Sequence, residues 1–223
     1  AIHDERLHKI IVARDRFGEK PLFYWHAQGH FFFASELKAL SAFPEFSKQM
    51  DTAILSSYMI FGYIPHPNTI FKNTYKLPPA HFLAVDTRTQ SLKLQRYWDV
   101  NAESAGEEPS NPGEKRLDSL LSEAVRIRLR ADVPVGAFLS GGIDSSLIVS
   151  QMVRLTPDTK TFAIGFPNDE FDEAPYAREV ARHLKCDHHE LYLTAKAAQD
   201  VLLELPRIYD DPIADSSAIP TYI

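Results

Sequence analysis

A five-residue apolar run, Val135–Leu139, passes without a linker into Ser140-Gly141-Gly142-Ile143-Asp144-Ser145-Ser146, and apolar residues then recur at helical spacing over Leu147–Leu155. This junction constrains the fold more than any other stretch. A buried strand that turns into a helix across two glycines belongs to a sheet whose neighbouring strands are joined by crossover helices. The surrounding residues repeat that texture. Leu117, Leu120, Leu121, Ala124, Val125 and Leu129 are spaced as one helical face, and Thr161–Phe166 forms a second buried strand. Glu173–Leu184 is amphipathic behind the candidate cap Asp172, and Glu190–Leu193 makes a third strand. The expected fold here is α/β, with βαβ units on a parallel sheet covered on both faces. Such sheets bind ligands beyond the carboxyl ends of their strands.

Upstream the pattern differs. Lys9–Ala13, Leu22–Trp25, Phe31–Ala34 and His81–Val85 are short β-branched or aromatic runs separated by turn chemistry at Gly18, Gln28-Gly29 and Pro78-Pro79. Short helices are expected over Ser35–Phe43 and over Thr52–Phe61, where Asp51 is placed to cap the first turn. Residues 1–100 therefore suggest the closing part of an antiparallel-sheet domain and a connecting arm. Residues 101–114, polar and rich in Pro and Gly, suggest a linker. A second domain follows over 115–223.

Charge narrows the function. A net charge of −6 argues against a nucleic-acid partner, since a phosphate backbone needs a basic stripe to neutralise it. No apolar run is long enough to span a bilayer, and charged residues interrupt the first twelve positions, which argues against a membrane span and a secretory signal. The expected location is the cytoplasm. Cys186 stands alone, so no internal disulfide is expected. It lies beside His188 and His189, yet a structural zinc wants four ligands at recognisable spacing, so a buried or half-exposed bystander is the better expectation.

The junction carries chemistry. Two adjacent glycines let backbone N–H groups approach an anion, and the following helix start adds unpaired donors and the positive end of its dipole. Ser140, Ser145 and Ser146 add hydroxyls for phosphate oxygens. Asp144 would repel phosphate unless a cation lay between them, and a Mg²⁺ bridging the carboxylate to phosphates resolves the conflict. The competing interpretation is a tight strand-to-helix turn with Asp144 or a serine as N-cap. The convergence of strand, glycines, serines and acid within one turn favours a phosphate site. It is no Walker A loop, because that spacing and its lysine are absent.

Ser140-Gly141-Gly142-Ile143-Asp144-Ser145-Ser146 resembles the pyrophosphate loop of the asparagine synthetase (glutamine-hydrolysing) family. The resemblance extends along the chain in family order. Ala13-Arg14-Asp15-Arg16-Phe17-Gly18-Glu19-Lys20-Pro21-Leu22 and Ala34-Ser35-Glu36-Leu37-Lys38-Ala39-Leu40 are similar to the late part of its glutaminase domain. Lys76-Leu77-Pro78-Pro79-Ala80-His81 is similar to the joining segment. Thr161-Phe162-Ala163-Ile164-Gly165-Phe166 and Tyr209-Asp210-Asp211-Pro212 continue into the synthetase domain.

The resemblance implies an Ntn-type glutaminase domain followed by an adenine-nucleotide α-hydrolase-like domain. It also implies an ATP-dependent ligase that adenylylates aspartate and amidates it with ammonia drawn from glutamine. ATP and Mg²⁺ are the implied cofactors. Leu139, Ser140, Gly141, Gly142, Asp144, Ser145, Ser146 and Ile164 are the implied nucleotide contacts, with Asp144 as the metal ligand. The family's nucleophilic cysteine is expected before Ala1 and its second glycine-rich acidic motif after Ile223, so no catalytic residue is assigned within an internal stretch of this kind. A homodimer would form through the parent protein. Two alternatives stay open: a related amidotransferase acting on another carboxylate, and a nucleotide-binding module without turnover.

Other polar clusters are weighed against structural roles. Arg14, Asp15 and Lys20 fit a charged turn better than an active-site group. His188-His189-Glu190 enters a strand and could face the ligand edge of the sheet, but a histidine satisfied by neighbouring backbone is the expectation. Asp210, Asp211, Asp215 and Ser216 could touch substrate or magnesium, or serve equally as a solvated loop and helix cap.

Overall fold

The computed structural model describes residues 1–100, 113–167 and 172–223, so the expected linker lies almost wholly outside the described residues, as does Phe171. The chain forms two compact units. The boundary between them falls within the undescribed 101–112 stretch, and residues 204–216 return to the first unit before the second resumes at Ser217.

In the first unit, β1 (Ile2–Asp4), β2 (Lys9–Ala13), β3 (Phe23–Ala27) and β4 (His30–Ala34) lead into α1 (Leu37–Leu40) and α2 (Leu55–Phe61). Then come β5 (Thr74–Lys76), β6 (His81–Asp86) and β7 (Leu92–Arg96). All pairings are antiparallel, in sheets ordered β1-β2-β6-β7 and β4-β3-β5. Period-two alternation explains why β3 is central: Phe23 and Trp25 face a cluster with Leu37, Leu40, Phe46, Ile64 and Ile70, while Tyr24 packs on the other side against Leu77, Leu83 and Val85. Burying each such side chain contributes about 1.5–3 kcal/mol.

Asp51 accepts the Ala53 N–H at 3.1 Å, as its capping position predicts, and starts a 3₁₀ turn over Thr52–Ile54 that continues as α2. Gly62, at φ 73°, terminates α2 in the left-handed conformation. The helix expected over Ser35–Phe43 shrinks to α1, because Glu36 is extended and contributes no side-chain cap.

The second unit runs α3 (Glu114–Arg128), β8 (Gly136–Phe138), α4 (Ile143–Leu155), β9 (Lys160–Gly165), α5 (Ala174–Leu184), β10 (Asp187–Tyr192) and α6 (Ala195–Leu202). After α7 (Leu205–Ile208), which packs with the first unit, α8 (Ala218–Tyr222) completes it. The sheet is parallel throughout, ordered β10-β9-β8. Leu139, Val149, Ala163, Ala177 and Ala181 form its core. Ala174, Ala177 and Ala181 recur at helical spacing and are essentially buried, so α5 can lie close against its neighbours.

The expectation of helices on both sheet faces is corrected here. Among the described residues α4 and α5 cover one face, while the other carries the short α8 at the border of a cavity and leaves Phe138, Phe162 and Leu191 68%, 41% and 46% exposed. The period-two alternation of β9 places Phe162 away from the face that buries Thr161 and Ala163. Among the described residues no helix is long and apolar enough to cross a membrane.

Candidate functional site

Because all three strands of the second unit are parallel, their carboxyl ends share one edge, and the Ser140–Ser146 loop leaves β8 there. Leu139 extends the ladder, its N–H donating to Phe162 O at 2.8 Å. Gly141 then adopts φ +79°, and a Cβ at this position would lie 2.6 Å from the Tyr176 carbonyl carbon and 2.7 Å from Ala177 N. Conformation and space together demand glycine. Gly142 is the N-cap of α4 and makes no side-chain cap, so neither Asp144 nor a serine takes the N-cap position that the turn interpretation required. The amides of the first helical turn thus face the edge without a side-chain acceptor.

Within the loop, Ser140 Oγ and Ser145 Oγ lie 3.0 Å apart, Gly142 N–H donates to Ser140 Oγ at 3.3 Å, and Ser145 Oγ donates to Gly142 O at 3.3 Å. These contacts pre-order two hydroxyls around an exposed backbone turn. Asp144 is exposed in the first turn of α4. Ser146 Oγ is buried without a hydrogen-bond partner among the described residues, and it borders a groove between α4 and α5 with Ile143, Leu147 and Val180.

The structure therefore brings Ser140, Gly141, Gly142, Asp144 and Ser145 together around one turn. Leu139 is 2% exposed with its side chain in the α4–α5 core, so it presents backbone to the edge. Ile164 sits one residue before the end of β9 on the opposite sheet face. It borders a cavity of about 340 Å³ with Phe138, Phe162, Leu191, Pro220 and Tyr222. The contribution of α8 to that cavity was missed in the sequence, where Ser217–Tyr222 carried no periodic signal.

The remaining clusters resolve as local structure. Arg14 donates to Lys20 O, Leu77 O and Gly18 O at 2.8–2.9 Å, and burial lowers its pKa. Asp15 accepts the Glu19 and Lys20 amides at 2.9 and 3.0 Å, and these amides, Lys20 first, hold its pKa below the usual carboxylate range. This pair staples a turn.

His188 Nδ1 meets Thr161 Oγ1 at 2.9 Å, whereas His189 stacks on Phe162 with ring centroids 5.3 Å apart. Adjacent strand residues point to opposite faces, so the two imidazoles cannot converge on one metal. Burial raises the Cys186 thiol pKa, and among the described residues no group of three or more His, Cys, Asp or Glu could hold a metal. Arg178 grips Glu190 through two contacts and lowers its pKa.

Comparison with known proteins places this architecture. Residues 1–98 match the glutamine amidotransferase domain model and residues 116–223 the asparagine synthase model, which defines a chain joining an amidotransferase region to a synthase region. A putative asparagine synthetase [glutamine-hydrolyzing] of Methanocaldococcus jannaschii is 37% identical over 228 residues, spanning 99% of this chain and 43% of that protein. Asparagine synthetase [glutamine-hydrolyzing] 1 of Bacillus subtilis is 34% identical over 218 residues, spanning 96% of this chain and 34% of that protein. The chain belongs to the asparagine synthetase family and spans less than half the length of these curated relatives. A glutamine-dependent NAD+ synthetase from Acinetobacter baumannii overlaps 67% of this chain and 26% of its own at 18% identity, with a TM-score of 0.37, too low to carry an argument.

Proposed function

We propose that this chain works within a glutamine-dependent asparagine synthetase, in which ATP activates the aspartate side-chain carboxylate and ammonia released from glutamine displaces AMP. The observation that carries the proposal is the Ser140–Ser146 turn, with its glycine cradle opening onto the uncapped start of α4 at the carboxyl edge of a parallel sheet. Residues 1–100 take the part of an Ntn-type glutaminase domain and its arm, 101–114 that of a linker, and 115–223 that of an adenine-nucleotide α-hydrolase-like domain.

The residues fit a nucleotide phosphate chain. Gly141 keeps the turn clear of side chains, the uncapped first turn of α4 offers backbone donors and its dipole, and Ser140 and Ser145 supply hydroxyls. Ser146, the Leu139 backbone and Ile164 complete the assigned contacts. They also fit Mg²⁺. Asp144 is one exposed hard-oxygen donor in the first turn of α4, beside the donors that would hold the phosphates, which suits an ion bound mainly by phosphates and water. When bound, the ion would neutralise charge on the departing pyrophosphate. The loop's own task is to orient the phosphates and hold the leaving group through backbone donors. Small-molecule traffic in ATP, aspartate and glutamine, a cytoplasmic setting and a homodimer formed through the rest of the protein belong to the same proposal.

The test is calorimetric titration with ATP in the presence and absence of Mg²⁺. Binding that requires Mg²⁺ and weakens roughly tenfold in Asp144→Ala supports the assignment, about 1.4 kcal/mol at one site. Equal binding by both proteins removes Asp144 from the metal role. Aspartate-dependent exchange of pyrophosphate into ATP by the parent protein separates aspartate from other carboxylates as the acceptor.

A further inference from the structure

Residues 204–216 lie in the asparagine synthase region by family but pack in the first unit. Two neighbouring carboxylates hold them there. Asp210 Oδ2 accepts the N–H of Leu37, so α1, whose own N-cap residue Glu36 makes no side-chain capping bond and pairs instead with Lys38, takes its cap from a residue 173 positions later. Asp211 Oδ1 accepts the Ile70 N–H at 3.2 Å, and Asp211 Oδ2 lies 2.7 Å from Lys76 Nζ. Lys76 also donates to Ile64 O at 2.6 Å, a second contact that fixes the ammonium. Beyond them the Ala214 N–H donates to Gly62 O at 2.7 Å. The chain then re-enters the second unit at Ser217 and forms α8, which borders the cavity shared with Ile164 and Phe138.

The side chains of Asp210 and Asp211 are only 13% and 12% exposed. Carboxylates so far from water are stable only when paired and hydrogen-bonded, and a loop that merely crossed the surface would leave them solvated. Here two adjacent acids engage two backbone donors and two ammoniums, Lys76 at 2.7 Å from Asp211 and Lys38 at 3.8 Å from Asp210, all from the first unit.

We infer that Asp210 and Asp211 are positioning residues: a latch that fixes 204–216 in the first unit, so that the start of α8 and the cavity wall it forms beside Ile164 are held from there. The latch stands on contacts alone. Its effect on nucleotide affinity rests on the function proposed above.

The test is hydrogen exchange of the full 223-residue chain carrying Asp210→Asn, Asp211→Asn, both together, or Lys76→Met. Exchange at the Leu37 and Ile70 amides and through 205–216 should rise at least tenfold in the double variant. The Thr221 and Ile223 amides of α8 should follow, while α4 and α5 stay protected and so report a folded second unit. Exchanging the charges, Lys76→Asp with Asp211→Lys, should restore part of the protection that Lys76→Asp alone removes, an outcome that generic damage does not give. The affinity for Mg²⁺-ATP should fall about tenfold in the double variant.

Unchanged exchange through 205–216 overturns the latch. An opened 205–216 with α8 still protected, or a loosened α8 with unaltered ATP affinity, overturns the coupling. Should the wild-type chain bind no ATP, the functional proposal fails and the exchange at α8 still judges the latch. Should the double variant fail to fold, the single variants and Lys76→Met decide by the same amides.

Discussion

The two units reach stability by opposite means. The first fills space with large rings: Trp25 is 1% exposed and stacks on Phe32 at 5.4 Å, and Phe32 stacks on Phe43 at 3.9 Å. The second removes side-chain volume. Alanines on α5 and glycine at 141 bring backbones together, while apolar side chains on one sheet face stay exposed among the described residues. The first unit should therefore be injured mainly by losing atoms and the second by gaining them.

The largest effect tests the first half of that contrast. Trp25→Ala should cost about 3–5 kcal/mol in the first unit, through lost burial and a cavity that neighbouring rings cannot close. Urea unfolding followed by exchange in each unit checks it. A loss below 1 kcal/mol, or one shared equally by the second unit, breaks the contrast.

Next is the addition of one methyl group. Gly141→Ala should cost the second unit roughly 2–3 kcal/mol, because it combines a left-handed φ with a clash against backbone at Tyr176 and Ala177. The same variant should lose Mg²⁺-ATP binding in calorimetry. Wild-type stability would mean that α5 can withdraw, and that close approach is not what shapes the loop.

Smaller still is the effect of pH at Glu190. Arg178 depresses its pKa in the folded state, so the stabilisation is fully present above the unfolded value of about 4.3 and is lost as pH falls through the depressed folded value. Arg178 stays charged throughout and adds no pH dependence in this window. The guanidinium side is largely exposed, which limits the contribution to about 1 kcal/mol or less. Glu190→Gln should flatten part of the loss in unfolding midpoint between pH 6 and pH 3. Asp118, depressed by Arg154 and Gln151, supplies another part with the same sign. An unflattened profile would show that the pair is energetically idle.

The smallest effect belongs to the open face. Phe138→Ser should change stability by no more than about 0.5 kcal/mol, because the ring is 68% exposed. Thermal unfolding measures it, and a loss above 2 kcal/mol would mean that the face is packed in solution.

Much of this was legible in the sequence where the signal is local. Aromatic alternation located β3 and β4 to within two residues, Asp51 marked the start of its helix, and the strand–Gly-Gly–helix junction located the loop. Helical spacing began α4 too late, at Leu147 instead of Ile143, because Ile143-Asp144-Ser145-Ser146 has the composition of a turn. The strands Ile2–Asp4 and Thr74–Lys76 are three residues each, too short for a period to declare itself. The return of 204–216 to the first unit was invisible for a different reason. Its contacts include a pair of aspartates that bond to Leu37 and Ile70, 173 and 141 positions earlier, and no window of sequence contains both partners.

That return has a consequence for the order in which the chain is made. A ribosome releases residues from the amino end, so α1 and Lys76 emerge long before Asp210 and Asp211. The first unit must wait, its helix without the Asp210 cap and Lys76 without its carboxylate, while α3 to α6 are synthesised. Completion of the first unit is thus a late event in translation of this stretch, closed across a loop well over a hundred residues long.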